Sequence, residues 1–157
     1  PEVVLLGETR DQPTAAAVFQ AALTGQLVLS TFHAGSVCEA ISRIAEMGIE
    51  PYLLRSGLAL LLQQRLLRRL CECSRERREP VGCAECQQSG YRGRIAMAEL
   101  LPPLSSELTA AVLRHADAAE LQRLVEAAGM VPLRARAATL VDLGLTSSTD
   151  VLRVLGG

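Results

Sequence analysis

Val3-Val4-Leu5-Leu6-Gly7-Glu8-Thr9-Arg10-Asp11, taken with Thr24-Gly25-Gln26-Leu27-Val28-Leu29-Ser30-Thr31-Phe32-His33, decides the fold. Four apolar residues closed by a glycine predict a short buried strand of a parallel sheet. Asp11 offers a helix cap and Pro13 suits a first turn, so a helix is predicted from there to about Leu23. Thr24-Gly25 stops it. Gln26 to Phe32 is rich in strand formers and ends on His33. Ser36 then opens a helix that runs to Met47 and is stopped by Gly48. Glu50-Pro51 opens another, predicted to run to about Leu62. The order strand, helix, strand, helix is that of an α/β fold with a parallel sheet and helical crossovers.

The character changes after Gln64. Arg65 to Leu70 is read as a strand, four cysteines follow between Cys71 and Cys86, and Tyr91 to Leu100 is read as a returning strand. From Ser105 the pattern is helical. Ser105 or Ser106 caps one helix and Asp117 a second that ends at Gly129. A third covers about Leu133 to Leu143, and Ser147 or Ser148 caps the last. The predicted organisation is an α/β portion over 1–70, a cysteine knuckle over 71–100 and an all-α subdomain over 101–157.

Composition narrows the function. The formal net charge is −1, so no overall basic character points to nucleic acid or an anionic membrane. Aromatic residues make up 3% of the chain, too few for a set of base-stacking rings. No apolar stretch is long enough for a membrane span. All 16 basic residues are arginine. A phosphate-cradling G-x-x-x-x-G-K-[ST] loop needs a lysine, so such a loop is expected to lie outside this stretch, in a longer protein.

Both strand ends carry chemistry. An apolar strand that ends in a carboxylate holds Glu8 rigidly at the sheet edge where ligands of open α/β sheets collect. There it can bind Mg²⁺ through water or orient an attacking water. Ser30, Thr31 and His33 end the second strand, and if the strands are neighbours Glu8 and His33 share one rim. The plainer alternatives are a solvated acidic turn and a histidine satisfied by a backbone carbonyl.

These segments together resemble the type II secretion and type IV pilus assembly ATPases. The resemblance runs through Gly7 to Asp11, Thr24-Gly25 and Leu27 to His33. It continues through Met47-Gly48, Gln64-Arg65-Leu66, Gly82-Cys83, Gly90-Tyr91, Gly93-Arg94, Glu99-Leu100 and Gly129-Met130. It implies part of a RecA-like P-loop NTPase core, in the C-terminal half of a longer chain that binds ATP with Mg²⁺. Glu8 would be the Walker B glutamate and His33 the histidine near the γ-phosphate, with Gly7, Arg10, Asp11 and Thr31 supporting the site. Arg10 is expected in a salt bridge and Asp11 in that role or simply as a helix cap. The family's members are homo-hexamers at the cytoplasmic face of the bacterial inner membrane, working with an inner-membrane platform protein. Gln26 and Ala34 depart from the family's usual histidine and threonine.

The cysteines are irregular. Cys83 and Cys86 form a C-x-x-C pair, whereas Cys71 and Cys73 form a C-x-C pair with Ser74 where a cysteine is expected. The four are candidate Zn²⁺ ligands; the alternative is a relic knuckle of free thiols. Cys38 is read as a small core residue, and His115 as a helix-end residue. The functional expectation is a motor ATPase inactive in this portion alone; the alternatives are a non-catalytic assembly module and a metal-binding adaptor.

Overall fold

In a computed structural model, which describes residues 1–101 and 103–156, the strand order is as expected. Strand β1 (Val3–Leu6) and strand β2 (Leu27–Ser30) pair in parallel, with Val3 opposite Leu27 and Leu6 opposite Ser30. Helix α1 (Gln12–Leu23) is the crossover. The Asp11 carboxylate accepts from the Thr14 N–H, satisfying one of the first turn's unpaired donors. Helix α2 (Val37–Glu46) is capped the same way by Ser36.

The structure shortens the next helix. Helix α3 spans Pro51–Gly57, and strand β3 (Leu61–Leu70) begins where the sequence reading still had helix. Leu58 to Leu62 is an unbroken apolar run, which has no periodicity to tell a helix from a strand. Gly57 marks the helix end, where an added Cβ would stand 3.0 Å from Phe19. β3 pairs with strand β4 (Tyr91–Leu101) in a second two-stranded sheet.

The remaining helices are a four-residue α4 (Glu72–Arg75), then α5 (Ser106–Leu113), α6 (Ala118–Ala127), α7 (Leu133–Asp142) and α8 (Ser148–Leu155). Ser105, Asp117 and Ser147 cap α5, α6 and α8 through their side-chain oxygens.

The chain packs as two units, each drawn from two stretches of sequence. One comprises Pro1–Leu62 with Leu100–Met130, the other Gln63–Glu99 with Val131–Gly157. The helices after residue 101 are therefore divided, α5 and α6 joining the first unit and α7 and α8 the second. The physical reason is where their apolar faces are buried. Leu108, Val112, Leu121 and Val125 pack with Ile41, Ile44 and Leu54, whereas Leu133 and Ala137 pack with Leu67 and Met97. Cys38 lies in the first core as expected, and its thiol also donates to Gln122 Oε1 at 3.4 Å.

In the second unit two buried carboxylates hold the helices. The Glu99 carboxylate accepts from the Leu133 N–H at 3.0 Å, capping α7 where Pro132 has no polar side chain to offer. Asp150 is fully buried at the start of α8. Its Oδ1 accepts from Nε of Arg68 at 2.6 Å and from Nε of Arg153 at 2.8 Å, and its Oδ2 accepts from the Arg68 N–H at 2.7 Å. Burial pushes the Asp150 carboxyl up, but the hydrogen bonds from Arg153 and Arg68 outweigh it and leave its pKa below the ordinary value.

Asp150→Asn should therefore destabilise the protein by about 2–3 kcal/mol, discounted from a fully buried pair because both arginines are partly exposed. A carboxyl with a lowered folded-state pKa contributes stability that is complete above its unfolded value and fades as pH falls through the folded one. The wild type should lose stability below about pH 4, and the variant should lose less over that window. Denaturant melts at pH 7 and pH 3 measure both effects.

Candidate functional site

Parallel pairing brings the two strand ends to one edge of the β1–β2 sheet. The chain remains tied beyond the strands: the Thr9 N–H donates to the Thr31 carbonyl at 2.9 Å, and Thr31 Oγ1 donates to the Gly7 carbonyl at 2.5 Å. Thr9 Oγ1 and Ser30 Oγ are 2.8 Å apart. These cross-ties fix the loops that carry Glu8 and His33. Glu8 Oε1 stands 3.5 Å from His33 Nε2, and Glu8 Oε2 stands 2.5 Å from an Nη of Arg10.

The Arg10 guanidinium holds the Glu8 carboxyl below its ordinary range, chiefly by the direct hydrogen bond, with His33 a smaller influence and desolvation opposing both. The Glu8 side chain is 21% exposed, whereas that of His33 is 86% exposed. The pair thus has a held carboxylate and an imidazole open to solvent.

Glu8, Thr9, Arg10, Phe32, His33, Arg43 and Met47 line an open depression of about 280 Å³. Arg43 is a member that sequence reasoning missed. It reaches back from α2 to donate to the His33 carbonyl, and its guanidinium lies 5.3 Å from the centre of the Phe32 ring. The only signal in the sequence is the short 34–36 connection, which turns α2 back past the strand end. Of the residues expected at this site, Gly7, Glu8, Arg10, Thr31 and His33 come together. The Asp11 carboxylate caps α1.

An ionised carboxylate held at a strand end, aimed into an open depression, fits the donor chemistry of a hydrated Mg²⁺ or of an oriented water.

The four knuckle cysteines also converge, despite the C-x-C spacing. All four Sγ atoms lie within 4.8 Å of one another, with Cys71 to Cys83 and Cys73 to Cys86 each at 4.0 Å. A tetrahedral site with 2.3 Å metal–sulfur bonds has sulfurs about 3.8 Å apart, slightly closer than these. The C-x-C pair succeeds because Cys71 stands at the residue before α4 while Cys73 stands inside it. Ser74, in the place expected for a cysteine, is fully buried, and its hydroxyl accepts from the Val81 N–H at 3.1 Å. It closes the arginine-rich insert instead of binding a ligand.

Burial pushes the Cys86 thiol up, but the N–H groups of Cys83 and Gly90, at 3.1 and 3.3 Å from its sulfur, bring it down to about 6. Gly90 has φ +73°, and a Cβ there would stand 2.4 Å from Pro80 Cα, so this approach requires glycine. Four convergent thiols with backbone donors on one of them fit a thiolate-bound metal.

The type II/IV secretion system protein family matches this sequence over residues 1–153. The chain belongs to that family. It is 40% identical over 173 positions to the type II secretion system protein E of Klebsiella pneumoniae, covering 98% of this chain and 34% of that one. It is 36% identical over 176 positions to the type IV pilus assembly ATPase PilB of Myxococcus xanthus (strain DK1622), covering 97% and 31%. Among solved structures, the ATPase DotB of Yersinia pseudotuberculosis superposes with a TM-score of 0.69 at 21% identity, covering 99% of this chain and 37% of that one. That last likeness is one of fold, and it bears out the α/β architecture of a RecA-like core expected from the sequence. This family member spans about a third of the length of the curated relatives it matches. Among the described residues no helix is long and apolar enough to cross a membrane.

Proposed function

We propose that this chain is the C-terminal half of a hexameric ATPase that powers type II secretion or type IV pilus assembly. The observation that supports it most is the pairing of Glu8 with His33 at the ends of two adjacent parallel strands. Glu8 acts as the Walker B carboxylate, kept ionised by Arg10, and orients a water or holds Mg²⁺ through one. His33 responds to the γ-phosphate from the same rim. Gly7, Arg10 and Thr31 hold the two loops, and Asp11 anchors α1 behind them. Mg·ATP supplies the transferable phosphoryl group and the metal charge. The motor works at the cytoplasmic face of the bacterial inner membrane, against an inner-membrane platform protein. Cys71, Cys73, Cys83 and Cys86 hold Zn²⁺ as a structural centre.

A second observation supports a larger core. Val3 and Leu5 on β1 and Leu27 and Leu29 on β2 lie on one face of the sheet, each at least half exposed. A contiguous apolar sheet face of this kind calls for covering structure. The absence of lysine from this sequence fits a phosphate cradle supplied by another part of the protein. The test is ATP hydrolysis measured side by side on the full-length protein and on the 157-residue chain. Turnover by the first and none by the second is expected. Turnover by neither, or equal turnover by both, would overturn the reading.

A further inference from the structure

The secretion-ATPase reading leaves one depression unused. It lies in the second unit, has a volume of about 340 Å³, and is lined by Leu66, Arg68, Arg94 and Arg153. We propose that it binds a small phosphate-bearing anion through the three guanidinium groups.

The three come from three elements. Leu66 and Arg68 share a face of β3, two residues apart, Arg94 is on β4 and Arg153 on α8. Arg68 and Arg153 are held in place from behind. Each gives its Nε to the same Asp150 oxygen, and the Arg68 guanidinium lies 4.0 Å from the centre of the Tyr91 ring. Tyr91 is itself fixed by a 2.6 Å hydrogen bond between its hydroxyl and that of Ser147. This use of Nε leaves the terminal Nη groups of both arginines for a ligand. Arg94 has no ion pair among the described residues, so its whole fork is open.

Charge balance selects the ligand. Three arginines against the single buried Asp150 leave the depression at +2, which a phosphate dianion neutralises and one carboxylate does not. Arginine forks also match phosphate oxygens in pairs. The surrounding field has the same sign. The second unit holds eleven arginines and seven acidic residues, a formal +4, while the first holds five and ten, a formal −5, together giving the −1 of the chain. A near-neutral sequence is therefore a strongly divided molecule, and its basic part contains the depression.

The test is calorimetric titration of the full-length protein with sodium pyrophosphate at low ionic strength, with Mg·ADP saturating the nucleotide site. One bound pyrophosphate per subunit is expected. Arg94→Gln should weaken it on the order of tenfold or more, and Arg94→Lys should restore part of that loss. Arg94 is exposed and unpartnered, so its loss should not unfold the protein; an unchanged melting temperature checks this. Arg55→Gln, an equal charge change at an exposed position of α3, should leave the affinity within about twofold, since Arg55 does not line the depression. An unaltered affinity in Arg94→Gln would overturn the proposal. So would an equal loss in Arg55→Gln, no binding at about 1 mM pyrophosphate, or equally tight binding of citrate.

Discussion

Glu8→Gln in the full-length protein should lower ATP turnover at least about a hundredfold and leave nucleotide affinity near that of the wild type. Glutamine keeps the size of the side chain and both contacts at the strand end, so β1 and β2 stay paired. It cannot carry the charge that Arg10 stabilises, nor accept a proton from an attacking water. Phosphoryl transfer depends on positioning and charge, and on the proposed reading this carboxylate would contribute to both. On the proposed reading ground-state binding would rest chiefly on a phosphate cradle in another part of the protein, so affinity should survive. Steady-state kcat with a separate nucleotide-binding titration measures the split. A kcat within about threefold of wild type would remove Glu8 from the catalytic machinery. Because Arg10 lowers the Glu8 pKa below its ordinary 4.5, any acid limb that Glu8 sets in the rate profile should fall below that pH, and the variant should lack it.

Cys83→Ser should remove most of the bound metal and lower the melting temperature on the order of 10 °C. A serine hydroxyl does not ionise to replace a thiolate, and three remaining sulfurs leave an open, weaker site. The knuckle has little apolar core to hold it otherwise: Cys71 and Cys86 are buried, while the tip is mostly exposed arginine and glutamate. A strong chelator should lower the wild-type melting temperature by a similar amount and leave the variant unmoved. Metal analysis and thermal melts of both proteins, with and without chelator, decide it. Wild-type protein with no stoichiometric metal, or a variant with unchanged metal content and melting temperature, would mean that the four thiols are free.

Much of the first unit was legible because its signals are local. Asp11, Ser36, Ser105 and Asp117 each cap a helix there through a side-chain oxygen that accepts from the N–H three residues on, as Ser147 does in the second unit, and spacing alone reveals such contacts. The four cysteines were legible as a cluster, and their C-x-C irregularity overstated the difficulty. A helical turn at Glu72–Arg75 supplies the missing reach, and no spacing rule contains it. The end of α3 was not legible, because an apolar run serves a buried strand as well as a helix.

The sequence by itself determined that an apolar strand ends on Glu8, that a second ends on His33, and that no lysine is available to hold a phosphate. Those are facts of residue type and short spacing. Only the tertiary structure decided that Glu8 meets His33 at 3.5 Å with Arg43 beside them, and that α7 and α8 leave the other helices to pack on β3 and β4. It also decided that an almost neutral chain separates into acidic and basic units, gathering Arg68, Arg94 and Arg153 from positions as many as 85 residues apart. The physical reason is the same in each case. Side-chain encounters across long sequence separations follow from which apolar faces bury together, and a one-dimensional pattern shows that a face exists without showing what covers it.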